Sequence, residues 1–212
     1  MADTPVIEGR AAALRIDNLD TDQIMPKQFL RGIDKSGLAK GLLYDLRFDA
    51  TGLPRGDCVL DRPGDRPLRI LLGGANFGCG SSREHAVWGL LQFGIVAVIA
   101  SSYGEIFHSN AMQNRLLLVT LPTDVVERLM ADAQAGDAIR IDIERMRVSS
   151  GNVDVAFELS PRHRLKMLSG QDDVDLTILE RPRIDAFAKA HHARQPWLKD
   201  VAALTRARLD RT

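Results

Sequence analysis

The chain has 212 residues, enough for one sizeable hydrophobic core and without a composition shift that demands a second. Lys plus Arg and Asp plus Glu stand at 28 each, so the whole-chain field gives no reason to expect nucleic acid or an anionic membrane surface as a partner. Cys58 and Cys79 are the two cysteines, which argues against a disulfide framework, and the longest wholly apolar run, Ile95 to Ala100, is far short of the ~20 residues that cross a bilayer.

The N-terminus, MADTPVIEGR, is acidic and contains a proline, with no basic stretch leading into an apolar one. It reads as a chain without a secretory signal, kept in the cytoplasm. Asp17 to Gly32, DNLDTDQIMPKQFLRG, crowds Asp20, Thr21 and Asp22 against the cations Lys27 and Arg31. That is either turn chemistry or the rim of a binding site. Met25 to Asp57 overlaps it, with glycines at 32, 37, 41, 52 and 56 and weak periodicity. A stretch of that length without structure predicts a mobile substrate loop.

From Leu68 to Leu121 apolar runs alternate with amphipathic stretches: LRILL, a Gly-rich break, REHAVWGLLQF, GIVAVIA, a second helical stretch, then LLLVTLP. The pattern predicts strand, helix, strand, helix, strand, and an α/β fold around a mainly parallel sheet covered on both faces. After Pro122, Asp124 and Glu127 have capping-box spacing and Gly136 supplies a stop, which predicts a helix of about three turns. AIRIDI and, across an SSGN turn at Ser149 to Asn152, VDVAFEL have strand alternation and suggest antiparallel additions. Ser160 and Pro161 open a short helix that Gly170 closes. From Asp173 a helical appendage follows, interrupted near Pro182 and Pro196. Residues 181 to 212 carry eight Lys or Arg against three Asp, which reads as a solvated peripheral helix with a frayed basic tail.

GGANFGCGSSREHA, Gly73 to Ala86, lies between a buried strand and a helix, where an anion should bind at the helix N-terminus. The GxGxxG pattern from Gly78 fails at Arg83, and the P-loop pattern from Gly73 fails at Cys79 and Gly80. A stand-alone nucleotide-binding module is therefore the weaker alternative. The turn offers two hydroxyls, Ser81 and Ser82, beside the guanidinium of Arg83. Those groups suit carboxylate capture and proton transfer. In the ordinary structural reading a serine caps the helix and Arg83 pairs with Glu84 or Glu105. The histidines have no metal-site spacing, and Cys79 reads as a small filler.

NLDTDQIMPKQFL (Asn18 to Leu30), NFGCGSSREHA (Asn76 to Ala86), VIASSYGEIFHSNAMQN (Val98 to Asn114) and the DVAFELSPRHRLKMLSGQDDVDLTIL stretch carry a resemblance. The chain resembles the small-subunit family of the 3-isopropylmalate dehydratases, in the aconitase superfamily, from about residue 6 to residue 198. The resemblance implies a swivelling β/β/α three-layer domain over 1–198, followed by a basic tail over 199–212. It also implies a hydro-lyase of leucine biosynthesis that isomerises 2-isopropylmalate to 3-isopropylmalate through 2-isopropylmaleate. A large-subunit partner, in a heterodimer or heterotetramer, would hold a [4Fe-4S] cluster that this chain does not. By the same resemblance Ser81 is the catalytic base, Ser82, Arg83 and Arg31 contact the substrate, and Asp22 organises the site. Citramalate and homoaconitate hydro-lyases use related subunits and are the alternatives in substrate.

Overall fold

A computed structural model describes residues 5–30, 36–81, 83–151 and 153–210, in two compact units that divide between Gly170 and Gln171. The first unit is built on a seven-stranded sheet. Its strands are β1 (Val6–Leu14), β2 (Leu68–Gly73), β3 (Ala97–Ala100), β4 (Leu117–Thr120), β5 (Ile139–Asp142), β6 (Arg147–Ser150) and β7 (Val153–Ala156), in the spatial order β4-β3-β2-β1-β5-β6-β7. Strands β1 to β4 run parallel, β5 is antiparallel to β1, and β6, twice reversed, shares the direction of the parallel group.

Both faces of the parallel part are covered, as its apolar runs predict. Along β2, Ile70 and Leu72 face one core while Leu71 faces the other, the two-residue alternation of a strand. On one face lie α3 (Glu84–Phe93) and α4 (Glu105–Gln113), which contribute Val87, Leu90, Phe107 and Ala111. On the other lies α5 (Thr123–Ala135), with Val125, Val126, Leu129 and Met130. Leu71, Leu90 and Leu129 have no exposed surface, and each such side chain contributes about 1.5–3 kcal/mol through burial.

Four sequence expectations need correction. The central strand β1 has no counterpart among the predicted elements, because its run of alanines lacks the β-branched residues that mark a strand. Those small side chains fit between the two cores: Ala12 lies in one, Ala11 and Ala13 in the other. Helix α5 starts at Thr123 with Pro122 at its N-cap and no side-chain cap, so Asp124 and Glu127 do not form a capping box. Its stop is as expected, at Gly136 with φ 95°. The turn placed at Ser149 to Asn152 is narrower, since Ser149 and Ser150 belong to β6, a short strand with the single large apolar residue Val148; Asn152 lies outside the described residues.

The fourth correction concerns Met25 to Asp57. Arg31 to Lys35 lie outside the described residues. From Ser36 onward the segment is folded, with a 3-10 turn at Leu38–Gly41 and α2 (Tyr44–Arg47). Leu38, Leu42 and Leu43 are buried, and the Leu38 N–H donates to Gln92 Oε1 of α3 at 2.9 Å. Arg47 forks onto Asp61 and reaches the carbonyls of Leu42 and Ala39. The Leu38–Gln92 bond spans 54 positions and the Arg47–Asp61 pair 14, separations that periodicity does not register.

Helix α6 (Pro161–Ser169) has the predicted start and stop, with the His163 N–H donating to Ser160 Oγ at 3.3 Å and Gly170 at φ 67°. The second unit holds α7 (Asp173–Leu179), α8 (Arg181–Arg194) and α9 (Val201–Leu209), broken at the two expected prolines. None of its helical residues is buried, Phe187 and Trp197 included. Among the described residues no helix is long and apolar enough to cross a membrane.

Candidate active site

In parallel α/β sheets the chain segments that leave the carboxyl ends of adjacent strands are placed to build a site. Strands β1 and β2 are such neighbours, and their exits are sewn together. The Asn18 N–H donates to Ala75 O at 2.8 Å, the Ala75 N–H to Asp17 Oδ1 at 2.7 Å, and the Gly78 N–H to Leu19 O at 2.7 Å. The Thr21 N–H reaches Cys79 O at 2.9 Å, and Asn76 Nδ2 donates to Asn18 Oδ1 at 2.9 Å. On its other side the turn is tied to the exit of β3, where the Phe77 N–H meets Ser102 O and the Gly104 N–H meets Phe77 O.

Two glycines permit this close lacing. Gly78 has φ 73°, and a Cβ there would run into the ring of Phe107. At Gly74 a Cβ would meet Asp17 and the Ile16 backbone. Tyr103, beyond β3, braces the same floor: its hydroxyl lies 2.8 Å from the carbonyls of both Val98 and Val119, and burial pushes its pKa well above the usual tyrosine value.

Helix α1 (Thr21–Ile24) decides which acidic group faces the turn. Asp20 and Gln23 form a capping box, with the Gln23 N–H donating to Asp20 Oδ1 at 2.7 Å and the Asp20 N–H to Gln23 Oε1 at 3.0 Å. Asp20 is thereby occupied, and Asp22 meets the Gly-rich turn. Ser81 Oγ donates to Asp22 Oδ1 at 3.2 Å, Arg83 pairs with the same carboxylate oxygen through Nη1, and Lys27 Nζ stands 3.7 Å from Asp22 Oδ2. The Arg83 side chain is 19% exposed, and its Nη1 is buried.

Thus the fold brings Ser81, Arg83 and Asp22 together. Ser82 and Arg31 lie outside the described residues. Helix α3 begins at Glu84 with Arg83 at its N-cap and no side-chain cap, so Ser81 precedes the helix and does not cap it. Arg83 does not take Glu84, whose carboxylate accepts from Asn114 Nδ2 at 2.7 Å. The sequence places Thr21 only in a turn or a site rim; it is a fully enclosed residue whose Oγ1 donates to Ser81 O at 2.8 Å and lies 3.3 Å from Ser81 Oγ. The clue available was its place at the first turn of a helix fixed by a capping box.

The Asp22 carboxylate stands between two cations, Arg83 and Lys27, beside the Ser81 hydroxyl. The arrangement suits binding of an anionic substrate and transfer of a proton at Ser81. It does not suit an iron–sulfur cluster, which needs three or four thiolates where the sequence has two, one buried and one half-buried.

The profile of the aconitase C-terminal domain family matches residues 3–124. The chain is similar to 3-isopropylmalate dehydratase small subunit 1 of Chromobacterium violaceum, at 56% identity over 96% of this chain and 97% of that one. It is also similar to the 3-isopropylmalate dehydratase small subunit of Phenylobacterium zucineum, at 44% identity over 91% of this chain and 96% of the relative. A crystal structure of 3-isopropylmalate dehydratase from Methanocaldococcus jannaschii superposes with a TM-score of 0.62 at 28% identity, covering 85% of this chain and 98% of that one.

Proposed function

The chain belongs to the aconitase C-terminal domain family, among the small subunits of 3-isopropylmalate dehydratases, and from that membership we propose that Ser81 is the group that exchanges a proton with isopropylmalate. The observation that carries this reading is the shared carboxylate: Asp22 holds the Ser81 hydroxyl and the Arg83 guanidinium on one oxygen. Arg83 binds a substrate carboxylate in competition with Asp22, and a fork of parallel N–H donors suits that task. Arg31 and Ser82 complete the substrate contacts.

In the dehydration direction Ser81 Oγ first passes its own proton to Asp22 Oδ1, the acceptor of its hydrogen bond; the substrate C–H bond then breaks, its proton passes to the ionised Ser81 Oγ, and its electron pair becomes the new carbon–carbon π bond as hydroxide leaves the adjacent carbon. Rehydration at the other carbon returns the proton from Ser81. Departure and return of hydroxide fall to groups outside this chain. The family implies an iron–sulfur cluster; two cysteines do not suffice for one, and we assign it to a large subunit without which this chain is inactive. The assembled enzyme works in the cytoplasm.

The test is Ser81→Ala assembled with its large subunit and assayed on 2-isopropylmalate, 2-methylmalate and homoaconitate. A fall in kcat of about a thousandfold is expected, in the range of a lost proton-transfer group. Full activity of the variant overturns the role of Ser81, and a wild-type preference for either other acid overturns the substrate.

A further inference from the structure

We infer that Thr21 is a positioning residue for the proton on Ser81, its hydroxyl hydrogen turning from the Ser81 carbonyl to the Ser81 oxyanion whenever that serine is deprotonated. The inference rests on the role of Ser81 proposed above and concerns a different side chain.

The geometry follows from counting hydrogens. Thr21 has one hydroxyl hydrogen, and a carbonyl oxygen can only accept, so the 2.8 Å contact with Ser81 O takes that hydrogen. Toward Ser81 Oγ, 3.3 Å away, the Thr21 oxygen can then only accept. Asp22 Oδ1, at 3.2 Å, is also an acceptor. Among the described residues, Ser81 Oγ therefore faces two acceptors and no donor. Hydrogen bonds of that kind favour the neutral hydroxyl and oppose its loss of a proton.

A serine held in this way is a resting group. It becomes a base only if a donor replaces an acceptor, and Thr21 is placed to make the exchange. Both candidate acceptors, Ser81 O and Ser81 Oγ, lie within reach of the same Thr21 oxygen, so rotation about its Cβ–Oγ bond redirects the hydrogen with no heavy atom moving. The new bond is charge-assisted and sits where charge develops. Water cannot easily substitute, because Thr21 is 1% exposed. Its backbone N–H is fixed to Cys79 O at 2.9 Å, and a β-branched side chain has few rotamers in a helix, so the oxygen stays in place.

The experiment uses the full chain assembled with its large subunit. Thr21→Val keeps shape and removes the hydroxyl; we expect kcat to fall about a hundredfold while KM changes by less than about threefold. Thr21→Ser restores the hydroxyl and should recover activity to within about fivefold of the parent. In a Ser81→Ala background, Thr21→Val should cost nothing further, whereas a merely structural role gives losses that multiply. Thr21→Ala serves as the second variant should the valine prevent assembly, with the same expectations. A kcat within about threefold of the parent in either variant, or multiplying losses in the double variant, overturns the inference. A fully active Ser81→Ala instead overturns the proposed role of Ser81 itself, so the two failures are distinguishable.

Discussion

Asp22 and Ser81 are 59 positions apart in the chain, yet the serine hydroxyl donates to the aspartate at 3.2 Å because the exits of β1 and β2 are laced together by backbone hydrogen bonds. The aspartate also pairs with Arg83. It therefore influences both the proton on Ser81 and the availability of the guanidinium.

Replacing Asp22 separates these two influences. Asp22→Asn keeps an oxygen that accepts from Ser81 and removes the charge that competes for Arg83. We expect kcat to fall by roughly ten- to a hundredfold, with KM unchanged or lower, because the substrate carboxylate then meets an unpaired guanidinium. Steady-state kinetics of the assembled enzyme decide it. A rise in KM with unchanged kcat would show that Asp22 acts only in binding.

Arg83→Lys tests the fork. A lysine retains the charge and loses the planar pair of donors that matches a carboxylate. KM should rise by roughly tenfold or more, which is the scale of one charge-assisted hydrogen bond, about 1.5–3 kcal/mol. An unchanged KM would mean that Arg83 serves Asp22 alone.

How much of this was legible in sequence depends on whether the information is local. The β2–α3–β3–α4–β4 series is written in apolar runs and glycine breaks, and it appears where the pattern places it. Ser81 and Arg83 stand out because they sit in that series. Strand β1 escaped because three consecutive alanines are neutral in a strand and acquire meaning only between two cores. The folded part of Met25 to Asp57 escaped because its order comes from Gln92, Asp61 and buried leucines elsewhere in the fold. Thr21 was visible as a residue, but its contact with Ser81 spans 60 positions.

Gly78→Ala should damage the site through the fold. The position has φ 73°, and an added Cβ would run into Phe107, which is itself buried in the core. Left-handed strain and overpacking together cost about 2–4 kcal/mol. At about 2–4 °C per kcal/mol for a chain of this size, thermal unfolding should shift down by roughly 4–16 °C. Gly136→Ala is the control: it shares a positive φ, 95°, but meets open space, and should cost only about 1 kcal/mol.

The sequence suggests a boundary at residue 198, whereas the first compact unit ends at Gly170. Both hydrophobic clusters and every described residue of the site lie within that unit. Beyond it no residue of α7, α8 or α9 is buried, and neither cluster includes one of their side chains. A chain ending at Gly170 should therefore unfold cooperatively, with a midpoint within about 4 °C of the full chain. The position of the cut is the sensitive part. Ending the chain at Ser160 deletes α6, whose Met167 and Leu168 pack on the second core cluster. Losing two partly buried apolar side chains costs about 2–4 kcal/mol, so this shorter chain should melt well below the first. Calorimetry of the two truncations decides the matter: equal midpoints would show that α6 contributes nothing to the core, and a broad, non-cooperative transition in the longer one would show that the helices after Gly170 belong to the folding unit.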